Sequence, residues 1–163
     1  MIRLATAQDA AALAMLWNPW IRDTVITFNS MEKTADDLAQ MIVDRHSDRH
    51  AVFVAQAPDQ NLLGFASYAQ FRGGIGYATC MEHTIVLAPD ARGRGAGRAL
   101  MAAVETHASG HGAHQMIAGI TGENSAACAF HAALGYAHVA TIPQAGFKFG
   151  RFLDLVLMQK FLT

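Results

Sequence analysis

The stretch Arg92-Gly93-Arg94-Gly95-Ala96-Gly97-Arg98 carries the residue types that most directly suggest chemistry. Its three glycines, at alternate positions, allow a tight turn and let main-chain N–H groups approach a ligand with no Cβ in the way. Helix formers follow from Arg98, with Leu100, Ala103 and Val104 at helical spacing. A helix that opens on glycines leaves its first amides without carbonyl partners, at the positive end of the macrodipole. Arg92, Arg94 and Arg98 add charge of the same sign. Such a cradle suits phosphate oxygens. A Walker loop is excluded, because neither its lysine nor its hydroxyl is present. The dinucleotide fingerprint spaces its glycines differently and sits near the start of a βαβ unit, whereas these lie past the middle of the chain. The plain alternative is a glycine-rich surface turn with solvated arginines.

Glu82 is the polar outlier of the apolar strand that leads into this loop, between Cys80-Met81 and Ile85-Val86-Leu87. A carboxylate in a half-buried strand loses hydration, which raises its pKa towards the range of a general base. The competing reading is a strand-end carboxylate that faces solvent or pairs with an arginine. Further on, Asn124 and His131 are two helical turns apart and share a face, with Cys128 between them. The apolar set opposite is Ala126, Phe130, Ala133 and Leu134, so the Asn124–His131 face is free to meet a ligand. The alternatives are helix capping for Asn124 and an ordinary surface role for His131. His107, His111 and His114 straddle a helix end without a carboxylate or cysteine, a poor metal pattern, so no metal is expected. Trp17 and Trp20 read as core or interface residues.

These groups need a scaffold, and the chain has the means to build one. At 163 residues, 52% hydrophobic and 15% charged, it is expected to form one globular domain over 1–163. A formal net charge of −1 gives no general attraction to nucleic acid or an anionic membrane, and no apolar run is long enough to span a bilayer. Met1-Ile2-Arg3-Leu4 leads straight into polar sequence, so no signal peptide is expected. With two cysteines, Cys80 and Cys128, a reducing cytoplasm is the simple expectation.

Strands are expected at 2–4, 51–56, 62–70, 77–87, 114–120, 136–142 and 152–161, with Pro143 interrupting the sixth. Helices are expected after Thr6 and Thr34, each of which opens a capping pattern, and over 98–109 and 125–134. Pro19 should end or kink the first helix at Asn18. Thr24-Val25-Ile26-Thr27-Phe28 is β-prone, and Gly110 suits the residue just past the third helix. A hairpin followed by βα crossovers implies one mixed sheet with helices on both faces.

Together these segments resemble the GCN5-related N-acetyltransferases (GNAT), specifically the branch of phosphinothricin and methionine sulfone or sulfoximine acetyltransferases. Arg92 to Gly97 fits the Arg/Gln-x-x-Gly-x-Gly/Ala coenzyme loop. Thr24-Val25-Ile26-Thr27-Phe28 is similar to the branch's Thr-x-x-Thr-Phe element, and Met81-Glu82-His83-Thr84-Ile85-Val86-Leu87 to its Val-Glu-His-Ser-Val-Tyr-Val strand. Glu123-Asn124-Ser125 with Phe130-His131-Ala132-Ala133-Leu134-Gly135-Tyr136 resembles its Asn…Leu-His-x-x-Leu-Gly-Phe helix. Gly146 to Asp154 resembles Gly-x-Lys-x-Gly-x-Trp-x-Asp. Pro19, Val86 and Phe152 depart from the tyrosine, tyrosine and tryptophan usual at those places.

The resemblance implies an α/β (α+β) fold: a mixed, mostly antiparallel sheet of about six to seven strands flanked by about four helices. It implies acetyl transfer from acetyl-CoA, as co-substrate and without metal, directly to the primary amine of a small amino-acid-like acceptor. Glu82 would be the general base and His131 the general acid. Ile85, Val86 and Leu87 would pair with the pantetheine arm. Gly93, Arg94, Gly95, Ala96, Gly97 and Arg98 would hold the pyrophosphate, and Asn124 would bind the coenzyme. Arg72, Gly73 and Gly74, with Glu82, His83 and Thr84, would line the acceptor pocket. A homodimer is implied as well. A non-catalytic acetyl-CoA-binding module, or an enzyme acting on protein N-termini or lysines, is the alternative.

Overall fold

The apolar segments of the sequence pair edge to edge into one sheet. In the computed structural model, which describes residues 1–162, the strands are β1 (Ile2–Leu4), β2 (Val52–Gln56), β3 (Leu62–Gln70), β4 (Cys80–Leu87), β5 (Gln115–Thr121), β6 (Ala137–Lys148) and β7 (Arg151–Phe161). Their order is β1-β2-β3-β4-β5-β7-β6, and every pairing is antiparallel except β4 with β5. That parallel pairing is brief. It joins Cys80 to Gln115, Met81 to Met116 and Glu82 to Ile117. Beyond these pairs the two strands part, while β3 stays on β4 as far as Leu87 and β7 stays on β5 as far as Thr121. The sheet therefore forks at its middle.

Four α-helices cover the two faces: α1 (Ala10–Asp23), α2 (Ala35–Ser47), α3 (Ala96–Gly110) and α4 (Ser125–Ala133). Leu13, Ala14, Leu38 and Ile42 of α1 and α2 pack on Val52, Val54 and Phe65. Leu100, Met101 and Val104 of α3 pack on Ala66, Met116, Ala118 and Ile120 from the other side, and Phe130 and Leu134 of the α4 region join that layer. Strand alternation sets this partition, since successive side chains point to opposite faces. In β4, Met81 and Ile85 belong to the α3 layer, whereas Val86 packs into the α1–α2 layer. The mixed sheet with helices on both faces, and its strand and helix count, agree with the sequence reading.

Several local expectations are corrected. Helix α1 continues through Pro19 to Asp23 and does not end at Asn18. Proline removes the N–H that would bond the carbonyl of Met15, four residues back. Met15 is 79% exposed, so water can serve that carbonyl instead. Segment 24–28 is not a strand but a run of bends between α1 and α2. Residues 77–79 do not belong to the long strand, because the chain makes a short 3-10 turn at Ile75–Tyr77 before β4 starts at Cys80. Gly110 is the last residue of α3, and the left-handed conformation falls on Gly112, at φ 90°. Pro143 does not end β6. That strand is the sheet edge, where a missing donor costs no ladder bond. A register shift between Ile142 and Gly146 absorbs the irregularity.

The capping expectation holds at Thr34. Its hydroxyl accepts from the Asp37 amide at 3.1 Å, and the Asp37 carboxylate accepts from the Thr34 amide at 2.8 Å.

Candidate active site

After β4 the chain makes a 3-10 turn at Pro89–Ala91 and then the glycine turn. Gly93 and Gly95 adopt φ 72° and 79°, a region that strains any residue bearing a Cβ. A Cβ at either would meet nothing within 4 Å, so the space above the turn is open to a ligand. Gly97 is needed for packing instead. Its Cβ would stand 3.1 Å from Leu87 Cδ1 and 3.2 Å from Phe130 Cζ, where α3 meets β4 and α4. The first full helical bond of α3 is donated by the Ala99 amide to the Gly95 carbonyl at 3.0 Å. The amides of Ala96, Gly97 and Arg98 lie ahead of it, at the positive end of the helix. Arg92, Arg94 and Arg98 are exposed around them. The Arg92 guanidinium lies 5.7 Å from the Trp20 ring centroid, which ties this turn to the last part of α1.

From His83 to Leu87 the β5-facing edge of β4 is open, because β5 has turned away. Ile85, Val86 and Leu87 lie in this open part and lead to the glycine turn. An extended ligand arm could lie in the fork, pair with that edge, and reach the cradle with a diphosphate.

Glu82 sits at the point of the fork, in the last residue pair before the strands part. Val86, four residues on, packs against α1 and α2, so Glu82 and Thr84 face that side as well. The Glu82 carboxylate extends over β5. A Cβ on Gly119 would lie 2.9 Å from Glu82 Oε1, so the bare backbone at Gly119 makes room for it. Burial raises the pKa of Glu82. Among the described residues no cation pairs with it, so the arginine-paired reading does not hold. Gly119 was missed in the sequence. An unexplained glycine in a strand otherwise made of apolar residues was the available signal.

The far side of β4 is different. His83 is only 8% exposed and points towards α4. His131 is only 3% exposed, which corrects the reading that its helix face is free. Ala126 and Ala133, expected to be in the core, are exposed instead. His131 Nδ1 lies 2.7 Å from the Ala127 carbonyl, and its Nε2 lies 3.1 Å from His83 Nε2. A carbonyl only accepts, so His131 carries its proton on Nδ1, and His83 must donate from Nε2. His83 Nδ1 is then a buried acceptor without a partner among the described residues. Burial holds both rings neutral, and His131 pushes His83 the same way. Asn124 caps α4, its side-chain oxygen accepting from the Ala127 amide at 3.1 Å.

Arg72, Gly73 and Gly74 are exposed on the turn after β3, at the opposite end of β4 from the glycine turn, with the Arg72 guanidinium 5.5 Å from the Tyr77 ring centroid. They line an open cavity of about 630 Å³ together with Arg49, His50 and His111, and Glu82 is not part of its lining. His107 and His111 stack at 4.0 Å, with His107 Nδ1 2.7 Å from the Tyr68 hydroxyl and His111 Nδ1 2.8 Å from the His107 carbonyl. Among the described residues there is no group of three or more His, Cys, Asp or Glu that could hold a metal ion.

The sheet thus forks beside an open strand edge, with the glycine turn at the end of one prong and the Glu82 carboxylate at the branch point. The acetyltransferase (GNAT) family profile matches residues 14–136, and the chain belongs to that family. It is similar to the L-amino acid N-acyltransferase MnaT of Escherichia coli (strain K12), with 34% identity over 97% of this chain and 91% of that one. It is also similar to the L-methionine sulfoximine/L-methionine sulfone acetyltransferase of Salmonella typhimurium (strain LT2), with 32% identity over 97% and 92%. Among solved structures, a phosphinothricin acetyltransferase from Sinorhizobium meliloti in complex with AcCoA superposes with a TM-score of 0.93 and 28% identity, over 99% of this chain and 87% of that one. A ribosomal-protein-alanine N-acetyltransferase from Brucella melitensis superposes with a TM-score of 0.94 and 36% identity, over 99% of each. Within the family the chain falls in the phosphinothricin and methionine sulfoximine acetyltransferase-like branch.

Proposed function

We propose that this chain, as a single domain over 1–163, transfers the acetyl group of acetyl-CoA directly to the primary amine of a small amino-acid-like acceptor. The acceptor is of the phosphinothricin, methionine sulfone or methionine sulfoximine type. The observation that carries the reading is Glu82: a half-buried, unpaired carboxylate with a raised pKa at the branch of the fork. The coenzyme supplies an acetyl group already activated as a thioester. The amides of Ala96, Gly97 and Arg98, with the turn at Gly93 and Gly95 and the charge of Arg94, bind its diphosphate. The open edge at Ile85, Val86 and Leu87 orients the arm and meets the acyl oxygen with backbone N–H.

The acceptor arrives as an ammonium ion and has to lose a proton before attack. Glu82 takes that proton, directly or through one water. Thr84 shares its face and lines the acceptor side, whereas Arg72, Gly73 and Gly74 line a separate cavity with Met81 on the α3 face and are not assigned to the acceptor. His131 has both ring nitrogens engaged, Nδ1 with the Ala127 carbonyl and Nε2 with His83, so the leaving thiolate takes its proton from solvent. Asn124 holds the start of α4 beside the coenzyme. Replacing Glu82→Gln should leave acetyl-CoA binding by calorimetry within about twofold and reduce turnover by ~10²–10⁴-fold. Unchanged turnover removes Glu82 from the mechanism.

A second reading, acetylation of protein N-termini, is favoured by the 36% identity to the ribosomal-protein-alanine enzyme. A third is a coenzyme-binding module without catalysis. A thiol-release assay over amino acids, sulfoximines, polyamines and peptides separates them: release with sulfoximines supports the first reading, release with peptides alone the second, and none the third. We also propose a cytoplasmic homodimer. The exposed Phe147, Phe149 and Phe152 of the β6–β7 hairpin favour it, and no helix among the described residues is long and apolar enough to cross a membrane.

A further inference from the structure

Lys148 is the one lysine of the chain buried to 3% exposure, and it ends the edge strand β6. Its Nζ donates to the Ile21 carbonyl at 2.6 Å and to the Thr27 carbonyl at 2.8 Å. Ile21 lies in the last turn of α1, where carbonyls lack helical partners and carry the negative end of the dipole. Thr27 lies in the bent segment 24–28, more than a hundred residues away in sequence. Two positions earlier in β6, Gly146 leaves a slot that the Phe28 ring fills. A Cβ there would be 2.5 Å from Phe28 Cδ2. The threonine hydroxyls of the segment bond nearby: that of Thr24 donates to the Trp20 carbonyl at 2.6 Å, and that of Thr27 accepts from the Asn29 amide at 3.2 Å.

The path of this segment gives the contacts meaning. Trp20, one helical turn before it and bonded to the Thr24 hydroxyl, stands beside Arg92 of the glycine turn at the end of β4. Phe28, where it finishes, stands on β6, beyond β5 and β7 in the sheet order. The segment thus crosses the mouth of the fork, on the α1–α2 side that Glu82 faces. A buried ammonium is costly, and an apolar side chain of similar length would pack there at less expense. That cost is understandable where a position has to be fixed.

We infer that Lys148 is a positioning residue for the acceptor: its ammonium, with the Gly146 slot, holds segment 24–28 as a wall of the acceptor site without touching the reacting atoms. The inference rests on the acetyl-transfer reading above. It does not involve the coenzyme cradle, which lies at the other end of the segment.

The test uses Lys148→Met, which keeps the length of the stem and removes the charge, and Gly146→Ala, which keeps the ammonium and displaces Phe28. Methionine sulfoximine is the acceptor probe. Both variants should raise its KM by about tenfold or more, which for Lys148→Met is the scale of losing one charge-assisted bond. The Kd for acetyl-CoA and the kcat at saturating acceptor should stay within about twofold. Amide exchange at residues 25–29 should quicken by about tenfold. Should Lys148→Met fail to fold, Gly146→Ala carries the same readouts alone. An unchanged acceptor KM, or equal loss of acceptor and acetyl-CoA affinity, overturns the inference. If the wild-type chain acetylates no small amino acid, the parent reading falls instead, and exchange at 25–29 still decides whether the tie exists. Unchanged exchange there overturns the tie itself.

Discussion

A glutamate is an ordinary acid until its surroundings take away water, and at Glu82 they do. Burial moves its pKa above that of a free glutamate, which makes the carboxylate a stronger base. The sign follows directly. As the proposed base the carboxylate would work only when deprotonated, so kcat/KM should rise with pH through that raised pKa and then level off. Glu82→Gln should abolish this acidic limb, and a wild-type limb centred at or below 4.5 would contradict the assignment. Glu82 was legible in the sequence because a lone carboxylate interrupted an apolar strand. Gly119, which gives it room, was not, because nothing in a single glycine names the side chain that will lie over it. His131 was misjudged for a related reason: helical spacing gives the angle between residues but not which face the sheet will cover. Lys148 looked like part of a motif, and only a contact across more than a hundred residues reveals what its charge does.

Elements were read best where the signal is local. Thr34 and Asp37 form their reciprocal cap as expected, since both partners lie within one turn. The glycine turn is similar, and it supports a prediction at this scale. Gly95 opens α3 in the left-handed region, at φ 79°. Gly95→Ala should cost about 1–2 kcal/mol, the penalty for a Cβ in that conformation. That corresponds to a fall of roughly 2–8 °C in melting temperature by scanning calorimetry for a chain of this size. Acetyl-CoA affinity should weaken as well, because the turn aims the amides that follow it. A variant with both properties unchanged would show that the left-handed turn is dispensable. The elements misread were those whose fate depends on distant partners. Pro19 stays inside α1 on a face where Met15, whose carbonyl it deprives of a partner, is largely exposed. Asn18 then mimics a strand pairing, accepting from the Lys33 amide at 2.8 Å and donating to its carbonyl at 2.9 Å, which draws segment 24–28 into a bend.

For the molecule as a whole, three exposed phenylalanines gather on one hairpin. Phe147, Phe149 and Phe152 are each more than half exposed, and Phe147 and Phe152 contact each other edge to face at 5.1 Å. If a second copy covers this surface, Phe152→Asp should convert a dimer into a monomer in light scattering while leaving the far-UV circular dichroism unchanged. A wild-type monomer would remove the dimer from the account. The fork has another consequence. Strands β1 to β4 and strands β5 to β7 meet through only three residue pairs, so the sheet is nearly two panels sharing a short seam. A thioester lying along that gap would act as the absent rung of the ladder. Part of its binding energy would go into closing the protein's own framework, so the carrier would be a structural member of the enzyme for as long as it stays, and its departure after the reaction would loosen the seam through which the next molecule enters.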